Sequence, residues 1–159
     1  MNKKYKICML FLALIVFVFS MVGCRKVEPV TTDDFQTKME SMGYKIEDVT
    51  GQYSEFPHVK KCLVFENDNE EGKIHVEFFD VDSIDNARGM YSNNKKTAEE
   101  KKGSVSSEST VSNDSHSKYK LTTSDTYYIV EQVGNTFVYA YCSKDIKSKL
   151  NDVIDELKY

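Results

Sequence analysis

Between residues 32 and 159 the apolar side chains switch repeatedly between a helical and a strand period. Phe35, Met39 and Met42 fall at i, i+4 and i+7 behind Thr32-Asp33-Asp34. That spacing predicts a helix with Thr32 as N-cap, acids at the positive end of its dipole and Gly43 as its stop. Residues 44–49 alternate and predict a short strand. A loop over 51–57 follows, with Tyr53 and Phe56 as packing points. Residues 59–66 and 73–81 predict two more strands about a polar loop at 67–72. Asp82-Ser83 caps a second helix whose stripe is Ile84, Ala87 and Tyr91. Its polar end, 93–102, reads as solvated or frayed. Strands follow at 118–123, 126–133 and 136–142. Ser143 then caps a last helix carrying Ile146, Leu150, Val153, Ile154 and Leu157 on one face.

The order is α-β-β-β-α-β-β-β-α. Consecutive strands on short loops pair antiparallel, so the expected class is α+β: a sheet of about six strands packed with three helices. The order suggests two α-β-β-β units and a closing helix, without a residue-level repeat. Seven of the 14 residues from 104 to 117 are serine. Such a stretch buries too little apolar surface to offset its ordering entropy, and 103–117 is expected to be a mobile loop, with marginal strand pairing as the alternative. The expected organisation is one domain over 32–159.

The strongest local signal is the pair of β-rich runs about Gly134-Asn135. A two-residue loop there pairs Val130 with Tyr139, Tyr128 with Tyr141 and Gln132 with Phe137. One face then carries Tyr128, Val130, Phe137, Tyr139 and Tyr141. The other carries Ile129, Val133, Val138, Ala140 and Cys142, with Tyr127, Glu131 and Thr136. Apolar residues on both faces predict a central hairpin covered on both sides. The alternative is that Tyr128, Tyr139 and Tyr141 stand open as a binding surface for a sugar, peptide or protein, where tyrosine is enriched. The covered core is the preferred reading.

The first 24 residues follow a different logic. Lys3, Lys4 and Lys6 precede an apolar run over 7–19, and small Gly23 stands before Cys24. This is the layout of an export signal. Met21-Val22-Gly23-Cys24 resembles the lipobox of bacterial prolipoproteins. The resemblance implies that residues 1–23 are removed and that Cys24 carries a diacylglyceryl group. It further implies a partner, the lipid bilayer, and a place on the cell membrane facing outside the cytoplasm. Residues 24–31 would be the lipidated tether, at most about 25 Å long over its last seven residues. The resemblance covers an address and no activity. An uncleaved anchor would have 17 residues over 7–23, against the ~20 that span a bilayer. A plain secretory signal cut after Gly23 is the other alternative.

Processing changes the charge. Loss of three lysines takes Lys+Arg from 21 to 18 against 25 Asp+Glu, and the net charge from −4 to −7. That sign argues against nucleic acid, whose affinity rests on neutralised phosphates, and against adsorption on an anionic membrane surface. Cys62 and Cys142 remain as an even pair in an oxidising compartment. Two buried thiols are the preferred reading over a bond, because a domain of this size needs no staple.

No nucleophile elbow, zinc-binding His pair or phosphate-binding Gly-rich loop is present in the sequence, so no catalytic residue, metal ligand or cofactor is assigned. His58 and Cys62 are four apart on a strand and do not converge. His75 and Glu77 share a strand face and could share a metal, although a solvated polar edge is the simpler reading. His116 has no fixed partner in the serine-rich loop. Asp68, Glu70 and Glu71 lack the spacing of a calcium loop. The function this supports is a membrane-anchored binding or interaction module with an unknown protein or small-molecule partner. The alternative is a cell-envelope hydrolase with an unrecognised site.

Overall fold

The structure is a computed structural model and describes residues 28–104 and 106–159. The expected signal and lipobox, Cys24 included, lie outside the described residues. Among the described residues, seven strands form one antiparallel sheet: β1 Ile46–Asp48, β2 Val59–Asn69, β3 Gly72–Val81, β4 Ser107–Ser112, β5 His116–Thr122, β6 Thr126–Val133 and β7 Thr136–Ser143. Their spatial order is β1-β2-β3-β7-β6-β5-β4. Two meanders thus run inward from opposite edges and meet at β3 and β7. Helix α1 is Thr32–Ser41, α2 is Ile84–Glu99 and α3 is Lys147–Glu156. The α+β class is as expected, and so is the number of helices, three among the described residues.

The additional strand, β4, comes from the serine-rich stretch, which was expected to be a loop. Its side chains are all exposed. It is held by backbone pairing to β5, from Ser107 opposite Thr122 to Ser112 opposite Ser117. Its one acid, Glu108, accepts a hydrogen bond from Tyr119 Oη at 2.9 Å and pairs with Lys102 at 2.5 Å. Hydrogen bonds along the ladder hold this strand without any burial of its own, which a hydrophobicity argument does not register.

Other boundaries moved less. Thr31, not Thr32, caps α1, its Oγ1 accepting from Asp34 N. Val30 is already buried in the core, inside the segment read as tether. The polar loop at 67–72 shrinks to Glu70-Glu71 because β2 and β3 pair to their ends, Asn69 opposite Gly72. Helix α2 does not fray at 93–99. It runs intact to Glu99, with Ala98 fully buried, whereas Ile84 at its start is exposed.

Two cores lie on the two sides of the sheet. One, under α1 and α3, joins Phe35 and Met39 to Phe65, Val76 and Phe78, and Leu150, Val153 and Ile154 to Ile129, Val138 and Ala140. The other lies under α2, where Ala87, Tyr91 and Ala98 meet Phe79, Tyr119, Val130 and Phe137, with Tyr53 of the short turn Thr50–Tyr53 packed against it. The first helix of each meander therefore covers a different side, and the meanders have three and four strands, so the suggested pair of α-β-β-β units is not met. Cys62 and Cys142 are both buried free thiols, one in each core. With β3 between their strands and the sheet between their side chains, they are not placed to bond.

Candidate binding face

The hairpin about Gly134-Asn135 forms in the expected register, Val130 opposite Tyr139, Tyr128 opposite Tyr141 and Gln132 opposite Phe137. Gly134 has φ +56°, the positive angle that a II′ turn needs at its first position. A Cβ there would come 2.5 Å from Pro29 Cγ, so this turn also seats the chain entering the domain.

Helix α2 packs across β5, β6 and β7 and onto β3. At 16 residues it is about 24 Å long, too short to cover the whole face. Phe137 and Val130 lie beneath it, fully buried. Tyr128, Tyr139 and Tyr141 lie at its margin, each partly buried. Register extends this margin into two rows. Val64, Glu77 and Tyr139 lie side by side, and next to them Glu66, His75, Tyr141 and Tyr128. The preferred expectation of a hairpin covered on both faces is therefore met on one face and only half met on the other.

The three tyrosine rings pack tilted against one another rather than stacked. Tyr141 lies 6.0 Å from both Tyr128 and Tyr139, tilted by 41° and 57°. His75 stacks on Tyr141 at 4.8 Å. Its Nε2 is 2.8 Å from Glu77 Oε1, and its Nδ1 is 3.8 Å from Glu66 Oε1. Glu66 in turn pairs with Lys73, which holds its carboxyl below the usual range. Burial, with Tyr128 and Glu77 nearby, pushes the Tyr139 hydroxyl up to about 12. Burial also raises Tyr141. Both phenols are thus protonated donors at neutral pH. Among the described residues, none of the three hydroxyls has a hydrogen-bond partner in the protein. A depression of about 530 Å³ lined by Lys45, Glu47, Val64, Glu66, Asp68 and Lys73 continues this face towards β1.

The remaining candidates scatter. His58 packs its ring near Phe56 at the start of β2, while Cys62 is buried. Burial pushes the Cys62 thiol up to about 12. Glu71 reaches Lys149 at 2.9 Å. Among the described residues no three metal-ligating side chains converge.

His116 corrects an expectation, because it does have a fixed partner. Its Nε2 lies 2.7 Å from Glu131 Oε1, a carboxylate with no solvent exposure. Lys118 Nζ lies 2.8 Å from the other oxygen, an ion pair without hydrogen-bond geometry, and also donates to the Tyr159 carbonyl at 3.2 Å. Sequence reasoning missed this cluster, although a signal existed. An acid amid Ile129, Val130 and Val133 on a central strand must be compensated by a cation on the neighbouring strand, and the one opposite is Lys118.

Neither a family model nor a curated relative matches the chain. A solved structure of a GTP binding regulator from Thermotoga maritima is similar at 13% identity, over 82% of this chain and 88% of that one, with a TM-score of 0.49. At that distance the likeness carries no argument about activity. Among the described residues no helix is long and apolar enough to cross a membrane.

Proposed function

We propose that this chain is a lipoprotein anchored through acylated Cys24, facing outside the cytoplasm, whose domain is a non-catalytic binding or interaction module. The single observation behind the binding role is the set of three tyrosine hydroxyls without protein partners, on a face that α2 covers only in part. A partly buried aromatic ring with a free polar edge suits a protein or small-molecule partner. The lipobox resemblance supports the anchor. Replacing Cys24 by Ala should abolish labelling with a fatty-acid analogue; equal labelling of variant and wild type removes the anchor from the proposal. A photo-crosslinking side chain at position 141 should capture a partner in intact cells that the same group at exposed Gln36, on α1, does not. Equal capture from both positions counts against the face.

The hydrolase reading keeps one observation in its favour. An imidazole held by a carboxylate, as in His75 and Glu77, is how a general base is oriented. On that reading His75→Ala abolishes turnover of an envelope polymer. On the binding reading no turnover is there to lose.

A further inference from the structure

The other side of the sheet has its own uncovered margin, beyond α3 and towards β4. There Lys120 and Thr122 of β5 stand beside Ser109 and Ser107 of β4, as the register requires. With Tyr127 of β6 and the Lys147 and Asn151 side of α3, they line a cavity of about 260 Å³. Glu108 also borders it, but its carboxylate is engaged by Lys102 and Tyr119.

Two ammonium groups and three aliphatic hydroxyls line this cavity. Among the described residues neither Lys120 nor Lys147 has a carboxylate within ion-pair distance. Lys120 Nζ donates to Asn151 Oδ1 at 2.8 Å, and Tyr127 Oη donates to the same oxygen at 3.0 Å. Asn151 Nδ2 donates to the Lys147 carbonyl at 2.8 Å, which fixes the amide with its oxygen towards Lys120. Two donors from neighbouring strands thus converge on one neutral oxygen. Burial, and Lys118 close by, disfavour the charged form of Lys120, against the weaker opposing pull of Asp155 and Glu131. An anion beside the ammonium would reverse that penalty. In a mature chain of net charge −7, a hollow lined by two ammonium groups that belong to no ion pair is a local concentration of positive charge.

We propose that this cavity is an oxyanion site for phosphate or a phosphate monoester, with Lys120 and Lys147 as its charged ligands and the hydroxyls of Ser107, Ser109 and Thr122 as further donors. Lysine serves phosphate as a point charge without needing a planar fork. The anion could come free from solution or on a lipid headgroup.

The test uses the full chain in neutral detergent, with amide resonances followed during titration with inorganic phosphate. Saturable shifts at Lys120, Thr122 and Asn151 are expected. Lys120→Gln should weaken phosphate at least tenfold and Lys147→Gln several-fold. Lys147 is exposed, so its variant keeps the fold even where Lys120→Gln does not. In a second arm, bilayers of phosphatidylcholine with and without phosphatidic acid replace the free anion. Shifts at the same amides only with phosphatidic acid assign the site to a lipid headgroup, and shifts only with free phosphate assign it to a soluble ligand. Identical shifts with sodium chloride at matched ionic strength overturn the site. So do equal shifts with acetate, or a phosphate affinity within twofold of wild type in both variants.

Discussion

The two sides of the sheet are built from the same strands and finished differently. One side receives two helices, α1 from the start of the domain and α3 from its end, and Lys38 Nζ on α1 reaches the Glu156 carbonyl on α3 at 2.5 Å. The other side receives α2 and the short turn Thr50–Tyr53, whose Tyr53 meets Phe79 edge-on at 5.1 Å. Beneath α3 the strand residues are Ile129, Val138 and Ala140, with no exposure. At the margin of α2 they are tyrosines, a histidine and glutamates. Covered ground carries mostly aliphatic and phenyl side chains, and the uncovered margin of α2 carries rings with polar edges. The difference shows that a sheet face open to solvent on one flank can still bury most of each ring while leaving its hydroxyl free.

The largest effect that tests this contrast lies on the side that carries two helices. Glu131→Ala leaves Lys118 and His116 without their buried counter-charge, and breaking such a pair costs about 3–5 kcal/mol. Urea unfolding should show it. A loss below about 1 kcal/mol would mean that water reaches Glu131, and that this side is less closed than described.

Next comes Leu150→Ala on α3. The side chain is fully buried, and a large-to-small change there costs about 2–5 kcal/mol. The same unfolding experiment reads it as a shift of midpoint at unchanged slope. No shift would mean that α3 is not docked.

On the half-covered side Tyr141→Ser should cost only about 1 kcal/mol, between an exposed substitution and the loss of a buried ring. A cost as large as that of Leu150→Ala would make the tyrosine face core, and the contrast between the sides would disappear.

The smallest expected signal is chemical. Each side buries one thiol, Cys62 raised to about 12 and Cys142 to about 11, both by burial. At pH 8 neither should react with iodoacetamide in the native protein, and both should react in urea. Because the folded values lie above the unfolded one, these thiols favour the folded state fully below about pH 9. That contribution is lost as pH rises through 11 to 12. Native labelling of Cys62 alone would show that the half-covered side opens.

Periodicity and turn chemistry made much of this legible. The caps at Thr31 and Ser83, the stop at Gly43 with φ +83°, and the register about Gly134-Asn135 follow from interactions within a few residues or across one tight turn. The expected cap was one residue away from Thr31, a small error typical of reading ends from side-chain type alone. The grouping of Tyr128, Tyr139 and Tyr141 was legible for the same reason, since alternation along paired strands sets which side chains share a face. Their half exposure was not. It depends on where α2 lies over the sheet and how far its 16 residues reach. Strand β4 was hidden because its stability comes from backbone pairing to β5, for which serine and threonine carry no hydrophobic signal. The partners of His116, the convergence of Lys120 and Tyr127 on Asn151, and the meeting of His75 with Glu66 all join residues from different strands or helices. Local sequence determines which residues share a face of an element. Only the packed sheet decides which elements lie side by side, because that choice is made by the summed burial and pairing of segments far apart in the chain.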